Sequence, residues 1–417
     1  MMVYVLSQEG QPLMPTSRYG KVRHLLKENK AKVVNKCPFT IQLLYKNTNF
    51  KQNITLGVDA GSKHIGLSAS TDVKELFSSE VLLRTDVTNN ISTRREIRKP
   101  RRNRLRHRKC RFLNRVRTKK KGWLAPTIQC KIDTHLKVIA DVYNILPVTK
   151  LIVEVASFDT QLLKATENKL AKPLGKDYQQ GEQLGFWNVR EYVLSRDNHT
   201  CQCCKGKSKD KILNVHHIES RKTGGNAPNN LITLCRTCHH KYHQGLLPKF
   251  KPARQSSYRD ATFMGIMRWA LYDKLKASYV NVSLTYGYIT KNTRIKNNLS
   301  KSHRIDALCI AQHLSVKLCD TYFLQKKVRC HNRQIHKSTI LRGGKRKRNQ
   351  GEYSVKGFRL FDKVKYQGRE YFIFGRRKTG YFDIRTLGGE KVNKGSVSYK
   401  KLSLIDTRKT MLIQELY

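Results

Sequence analysis

Short apolar runs alternate with polar stretches along the chain, and this pattern predicts a mixed α/β protein. The runs rich in β-branched and aliphatic residues predict strands at 3–6, 31–34, 40–45, 54–59, 65–69 and 150–155. Helical spacing predicts helices at 18–29, with Ser17 as N-cap, at 128–146 and at 302–314. Residues 258–282 have the pattern of a helix followed by a strand. After residue 323, short runs between paired glycines predict a small β-rich region.

Changes in this pattern divide the chain into segments of different character. We expect an α/β multidomain fold with a central core built from three separate segments. The predicted segments are a small N-terminal α/β domain (1–50), the first core segment (51–92), an Arg-rich helix (93–125), the second core segment (126–165), a linker (166–185), a cysteine- and histidine-rich module (186–247), the third core segment (248–325) and a basic β-rich domain (326–417).

Positive charge dominates the composition: 83 Lys or Arg stand against 30 Asp or Glu, a formal net charge of +53. Such a surplus repels itself in the compact state and favours a polyanionic partner, so we expect nucleic acid. The sequence has no signal-peptide pattern and no long uncharged apolar stretch, so we expect a cytoplasmic protein without a membrane segment.

The charge is densest between residues 93 and 121, where 16 of 29 residues are Lys or Arg. Rough helical spacing of the apolar residues favours a basic helix lying along a phosphate backbone, and a solvated tail is the alternative. Pro100 predicts a break or kink in the first turns. The candidate nucleic-acid contacts are Arg94, Arg95, Arg98, Arg101, Arg102, Arg104, Arg106, Arg108, Arg111 and Arg115, together with Lys345, Arg346, Lys347 and Arg348 in the C-terminal domain.

Two Cys-x-x-Cys pairs give the most specific signal in the sequence. Cys201, Cys204, Cys235 and Cys238 can supply four thiolates to one tetrahedral, structural Zn²⁺. The two pairs are farther apart than in a usual zinc ribbon, so another element is inserted between them. Cys203 could replace one of the ligands, and a structural ribbon with incidental histidines is the alternative to an active site.

The insert contains Val215-His216-His217-Ile218 and Asn229-Asn230-Leu231, and His239, His240 and His243 follow the last cysteine. This arrangement resembles the pattern of HNH nucleases. Such a site combines a ββα unit that holds one metal ion against the scissile phosphate with a neutral imidazole that accepts a proton from water. By resemblance to HNH nucleases, His217 is the general base, His216 and His239 hold a catalytic Mg²⁺, and Asn230 braces the loop. His243 is the alternative to His239 as metal ligand.

Three acids form a second candidate site. Asp59 ends an early strand, Glu154 lies near the end of a later buried strand, and Asp306 lies on a late helix one turn after His303. RNase H folds assemble a carboxylate cluster in this way, and the cluster needs cations because like charges raise each other's pKa. Two Mg²⁺ ions are expected there. His303 would orient or activate the water, or is simply an exposed helical residue.

The order of these features resembles the IscB family, compact transposon-encoded relatives of the CRISPR effector that has two nuclease domains. The chain is far too short for that effector itself. The resemblance covers about residues 1–320, and the C-terminal domain matches by position and charge. The matching segments are Gln11-Pro12-Leu13-Met14-Pro15, Leu56-Gly57-Val58-Asp59-Ala60-Gly61, the Arg-rich helix, Phe158-Asp159-Thr160-Gln161 after Glu154, Tyr178-Gln179-Gln180-Gly181 and Ser302-His303-Arg304-Ile305-Asp306-Ala307.

The resemblance implies both a fold and an activity. The three core segments would form a split RuvC-like (RNase H-like) domain, with a PLMP domain before it and a bridge helix at 93–125. An omega guide RNA would pair with the target strand of double-stranded DNA, and the C-terminal domain would recognise an adjacent motif. The HNH site would cut the target strand and the RuvC-like site the non-target strand, both with Mg²⁺, in a monomeric ribonucleoprotein of a prokaryotic cytoplasm.

Three other interpretations explain less of the sequence. A protein-guided HNH endonuclease of homing or restriction type leaves the three acids and the Arg-rich helix without a role. A Holliday-junction resolvase has no use for an HNH module. A basic zinc-ribbon protein that packages RNA needs neither the acids nor the histidines.

Overall fold

The structure is a computed structural model that describes residues 2–48, 50–105, 122–155, 165, 171, 183, 185–220, 225–254, 259–330 and 352–416, with the backbone alone at 97–105 and 259–260. The chain forms two compact units, Met1–Ser157 with Phe263–Tyr417 and Phe158–Thr262. Of the helices in the described residues, none combines the length and the apolar character needed to cross a membrane. The prediction of a mixed α/β chain with several sheets is confirmed.

The described elements follow one another in this order: β1 (Tyr4–Leu6), α1 (Tyr19–Lys27), β2 (Ala31–Lys36), β3 (Phe39–Leu43), β4 (Thr55–Ala60), β5 (His64–Ser70), β6 (Glu75–Leu82), α2 (Val87–Leu105), α3 (Pro126–Tyr143), β7 (Lys150–Glu154), α4 (Val189–Arg196), β8 (Leu213–His217), β9 (Leu231–Cys235), α5 (Arg236–His243), α6 (Arg259–Ser278), β10 (Val282–Thr285), α7 (Gly287–Lys296), α8 (His303–Ala311), β11 (Tyr322–Lys327), β12 (Lys363–Tyr366), β13 (Arg369–Arg376), β14 (Tyr381–Arg385), β15 (Val397–Ser398), β16 (Ser403–Asp406) and β17 (Met411–Leu416).

The N-terminal residues form a small sheet with the order β1-β3-β2, covered by α1. Helix α1 begins at Tyr19, and Arg18 in the capping position makes no side-chain hydrogen bond to the helix. The prediction of Ser17 as N-cap is therefore wrong. Burial of Val22 against the sheet fixes the helix instead, so packing rather than capping sets its position.

A seven-stranded mixed sheet with the order β10-β7-β4-β5-β6-β11-β17 forms the centre of the first unit. Strands β4, β5 and β6 form an antiparallel meander, whereas β7 runs parallel to β4 and β10 runs parallel to β7. Every residue of β4 is buried. This burial explains the continuous apolar run that predicted the strand, because a strand covered on both faces has no polar side.

Helix α8 lies directly against β4 and β5. A Cβ atom added to Gly66 would lie 1.8 Å from the carbonyl oxygen of His303, so this close approach requires glycine. Ser302 caps the helix, with its hydroxyl accepting a hydrogen bond from the Ile305 amide. The helix ends before Gln312, which has a φ of 66°, so it is shorter than the predicted 302–314.

Helix α2 runs from Val87 to Leu105 and passes through Pro100, so of the predicted break or kink at this proline, the break is wrong. A proline removes one backbone hydrogen bond, and the turns on both sides continue the helix across it. Arg94 and Arg95 are exposed on this helix. Four further predicted contacts belong to the part of this helix for which only the backbone is described, namely Arg98, Arg101, Arg102 and Arg104. The remaining predicted contacts, Arg106, Arg108, Arg111, Arg115, Lys345, Arg346, Lys347 and Arg348, lie outside the described residues.

The C-terminal region contributes to two sheets. Strands β12 to β16 form a five-stranded sheet around a core that includes Val364, Ile373 and Phe382. The last strand, β17, instead pairs antiparallel with β11 in the main sheet. The segment predicted as a terminal domain thus also completes the central sheet.

Candidate active sites

Two acids lie side by side at the carboxyl ends of two neighbouring strands of the main sheet. Strands β4 and β7 are parallel neighbours, with Val58 paired to Val153, so the next residues, Asp59 and Glu154, occupy adjacent positions. Helix α8 crosses the same region, and its first residue, His303, donates a hydrogen bond of 2.6 Å from Nδ1 to Asp59 Oδ2. Asp306 follows one turn later. The topology therefore gathers the four residues predicted for this site.

Each of the three carboxylates has its own partner. Glu154 Oε2 accepts a hydrogen bond of 2.6 Å from the hydroxyl of Thr290 on α7. Asp306 Oδ1 lies 2.8 Å from Arg294 Nε. Among the described residues, the oxygens of Asp59, Glu154 and Asp306 are not all within 4.8 Å of one another. Carboxylate oxygens of this kind are the ligands that Mg²⁺ prefers.

The charges in this cluster act on one another. Burial raises the pKa of Glu154 to about 7, and the nearby Asp59 and Asp306 charges add to the rise. Burial and the Asp59 charge also raise the pKa of Asp306. The hydrogen bond to Asp59 raises the pKa of His303. A cation that replaced the protons would relieve the repulsion among the acids, so the cluster is built to bind positive charge.

A histidine that the sequence did not single out supports this site. The imidazole of His64 stacks on that of His303, with ring centroids 4.9 Å apart and planes within 7°. Its Nδ1 lies 3.1 Å from Glu80 Oε1. The arrangement restricts the His303 ring between His64 on one side and Asp59 at its Nδ1.

We predict that Glu154→Gln stabilises the metal-free protein at pH 8. Because the pKa is about 7 in the native state and 4.5 ordinarily, native Glu154 holds its proton longer than the unfolded chain. Stability is therefore lost as pH rises from 4.5 to 7, by on the order of 1–3 kcal/mol. Thermal melting in a chelator should show the variant as the more stable at pH 8 and equal to the wild type below pH 4.5.

Mg²⁺ should stabilise the wild type and not the Gln variant. The exposed Glu9→Gln serves as the matched control and should change neither melting curve. A Glu154→Gln protein no more stable than the wild type at pH 8 would contradict the raised pKa of Glu154 and the loss of stability inferred from it.

The second unit contains a ββα arrangement. Strands β8 and β9 pair antiparallel, with His217 opposite Leu231 and Leu213 opposite Cys235, and α5 follows directly. The Cys235 sulfur caps α5 by accepting a hydrogen bond from the Cys238 amide. The inserted element that the wide cysteine spacing predicts is thus β8 with the loop leading to β9.

Three imidazoles meet between β8 and α5. The ligating nitrogens of His216, His239 and His243 lie within 4.8 Å of one another, and the Nε2 atoms of His239 and His243 are 3.3 Å apart. Burial and the neighbouring histidines lower the pKa of His216 to about 4. Its imidazole is therefore neutral at pH 7, as a metal ligand must be. His243 accompanies His239 here rather than replacing it.

The donor chemistry of this cluster differs from that of the carboxylates. Imidazole nitrogens are typical ligands of Zn²⁺, Ni²⁺ and other transition metals, whereas Mg²⁺ prefers oxygen. The three histidines therefore suit a divalent transition metal, and the predicted Mg²⁺ would take oxygens of a phosphate and water as its further ligands.

His217 and Asn230 lie on either side of the loop between β8 and β9. His217 Nε2 is 3.0 Å from Asn226 Oδ1. Asn230 is fully buried: its Oδ1 accepts from the Glu219 amide, and its Nδ2 donates to the carbonyls of Glu219 and Gly225. These three bonds tie together the two ends of the loop.

The four predicted cysteines converge. The sulfurs of Cys201, Cys204, Cys235 and Cys238 lie within 4.8 Å of one another, and the Cys204 and Cys235 sulfurs are 3.9 Å apart. Sulfurs placed tetrahedrally 2.3 Å from a Zn²⁺ would be about 3.8 Å apart, so this set could hold zinc. Cys203 is not part of the cluster.

Sequence reasoning missed several residues that contact these sites, namely His64, Glu80, Asn226, Thr290 and Arg294. Thr290 and Arg294 lie on α7, a helix that the sequence analysis did not predict. The spacing Thr290-x-x-x-Arg294 places both on one helical face, but only the fold shows that this face meets the acids.

Two protein families match the sequence. The family model of RRXRR proteins matches residues 3–181, and that of the HNH endonucleases matches residues 201–245. No curated protein matches the chain.

Solved structures of Cas9 resemble parts of the chain. Cas9 of Streptococcus thermophilus in complex with the GGAA PAM is 12% identical, with a TM-score of 0.30 over 50% of this chain and 29% of that one. The same enzyme with the AGGA PAM is 12% identical, with a TM-score of 0.32 over 63% of this chain and 32% of that one. The Type II-C Cas9 of Actinomyces naeslundii is 11% identical, with a TM-score of 0.25 over 63% of this chain and 60% of that one. The chain thus spans about a third of the length of the Streptococcus thermophilus proteins.

The ββα module and the family match at 201–245 show that the chain contains an HNH endonuclease domain, which supports a nuclease. Together with the RRXRR match over residues 3–181, this module makes the chain similar to the IscB-like HNH nucleases. The prediction of such a nuclease is confirmed.

Proposed function

We propose that this nuclease is an RNA-guided DNA endonuclease with two hydrolytic sites. An omega RNA pairs with the target strand of double-stranded DNA next to a short motif, the HNH site cuts that strand, and the RuvC-like site cuts the displaced one. The observation that carries the proposal is the meeting of Asp59, Glu154, His303 and Asp306 in a chain that also has an HNH module. A chain with one hydrolytic task has no need of both.

The topology of the main sheet supports a RuvC-like core. An antiparallel meander (β4, β5, β6) followed by two parallel strands (β7, β10) gives the spatial order 3-2-1-4-5 when the strands are counted along the chain. This order and the acids on the first and fourth strands are what the predicted RNase H-like fold requires. The surplus of Lys and Arg, including the exposed Arg94 and Arg95, would hold the nucleic-acid backbones.

The residues divide the chemistry between them. Asp59, Glu154 and Asp306 would hold two Mg²⁺ ions, and His216, His239 and His243 one divalent ion. When bound, such ions stabilise negative charge on the phosphate and lower the pKa of water. His303, fixed by Asp59 and the stacked His64, orients the attacking water at the carboxylate site.

At the HNH site, His217 is the general base of this proposal. With Asn226 Oδ1 as acceptor, Nε2 carries the proton and Nδ1 keeps the lone pair. Nδ1 is thus the atom that accepts a proton from water. Asn230 braces the loop that carries Asn226. The cysteine cluster would hold a structural Zn²⁺.

The partner is tested by purification. The protein expressed with its own genomic flank should copurify with one discrete structured RNA, and the complex should cut a matched plasmid in Mg²⁺. Copurification of no discrete RNA, together with cutting at a fixed DNA sequence, would favour the protein-guided homing or restriction type instead.

A further inference from the structure

Two tyrosines at the start of α7 are exposed although they stack on each other. The rings of Tyr286 and Tyr288 have centroids 6.1 Å apart and planes within 12°. Their exposed fractions are 44% and 66%. Together they present a flat aromatic surface to solvent, and burial in a core does not account for it.

This pair is next to the carboxylate site. Strand β10 ends at Thr285, which is the register partner of Glu154. A Cβ atom added to Gly287, between the tyrosines, would lie 3.0 Å from Glu154 Oε1. One turn later, Thr290 donates its hydrogen bond to the other oxygen of Glu154. The backbone that carries the two rings therefore contacts the carboxylate itself.

The surroundings favour a polyanion. Helix α7 contains Lys291, Arg294 and Lys296 and has no acidic residue. Lys291 and Lys296 are exposed, whereas Arg294 is paired with Asp306. Aromatic rings beside a basic surface are the usual means of binding single-stranded nucleic acid, because each unpaired base can stack on a ring and the phosphates meet positive charge.

We propose that Tyr286 and Tyr288 form a stacking platform for unpaired bases of the displaced DNA strand, which places its phosphodiester at the carboxylate site. The inference rests on the proposed function of that site. Bases in a duplex or in a guide-paired strand are already stacked on their neighbours, so the platform selects the single strand. Strand choice at this site then comes from base stacking as well as from the path of the DNA.

The test compares ring removal with ring retention in the full ribonucleoprotein. The double variant Tyr286→Ala/Tyr288→Ala loses the surface, whereas Tyr286→Phe/Tyr288→Phe keeps it. Ile295→Ala, an exposed apolar residue near the end of the same helix, is the matched control. Cleavage of each strand of a matched target is followed separately, with thermal melting as the check on folding.

Stacking contributes about 1–3 kcal/mol per base, so the Ala variant should cut the displaced strand at least about fivefold more slowly at subsaturating substrate. The Phe variant and Ile295→Ala should cut it at the wild-type rate, and cutting of the guide-paired strand should be unchanged in all three. Binding of a fluorescent oligothymidine to the protein should weaken in parallel with the displaced-strand rate.

Several results would overturn the inference. These are a wild-type rate in the Ala variant, equal losses in the Phe and Ala variants, or a loss confined to guide RNA affinity, measured with an RNA oligonucleotide. If the wild type itself leaves the displaced strand uncut, the proposed function of the site has failed. If the wild type cuts the displaced strand and the Ala variant cuts it at the same rate, only the platform has failed.

Discussion

The Asp59→Ala protein is expected to nick only the guide-paired DNA strand, and the His217→Ala protein only the displaced strand. Asp59 lies beside Glu154 and accepts a hydrogen bond from His303, so its loss removes both an oxygen proposed to bind an ion and the anchor of that imidazole. Displaced-strand cutting should fall below detection. The HNH module belongs to the other compact unit, so its cleavage should persist.

His217→Ala removes the proposed general base, which is typically worth about 10²–10⁴-fold in rate. The substitution leaves the cluster of His216, His239 and His243 and the carboxylate cluster unchanged. A supercoiled plasmid with a matched target, each strand labelled separately, distinguishes the two nicks. Asp72→Ala and His199→Ala, which change exposed residues of the same types, are the matched controls and should linearise the plasmid as the wild type does.

Linear product from both single variants would mean that one site makes both cuts. Loss of both cuts in either variant would mean that the two sites are coupled. The double variant should bind its target and cut neither strand, since it keeps every Lys and Arg.

Removal of one cysteine ligand should unfold the HNH module. The core around the cysteines is small, with Leu234 as its fully buried apolar residue besides the sulfurs. A structural zinc contributes about 10–16 kcal/mol of folding free energy, more than so small a core can supply. Cys201→Ala should therefore lose its zinc and cutting of the guide-paired strand, while cutting of the displaced strand remains.

Cys203→Ala is the matched control, because Cys203 lies two residues from Cys201 and outside the cluster. It should retain zinc and both cuts. Metal analysis with less than about half a zinc per chain in active wild-type protein would contradict the structural role, as would a fully folded and active Cys201→Ala.

The parts of the sites that lie on strongly patterned elements could be predicted from the sequence. Asp59 and Glu154 end continuous apolar runs, and His303 and Asp306 lie one turn apart after a capping serine, so local pattern fixed their elements. The cysteine pairs carry their own spacing. These signals are local to single elements, so they do not depend on how distant segments pair.

The contacts that depend on distant pairing could not be predicted. Strand β17 joins β11 across a long stretch of chain, and its own pattern does not specify a partner. Arg294 and Thr290 gained a role only because α7 packs beside α8 and β7. The sequence left His239 and His243 as alternative ligands. In the structure both lie on one face of helix α5, four residues apart, so both imidazoles reach the same cluster.

Guide replacement tests the central claim most directly. The ribonucleoprotein is prepared with its own RNA and with an RNA whose guide segment is exchanged, and both are incubated with a plasmid that carries the two matching sites beside the same adjacent motif. RNA guidance predicts that each preparation cuts both strands only at the site that matches its guide. Cutting at one fixed site with either RNA, or without RNA, would contradict the account.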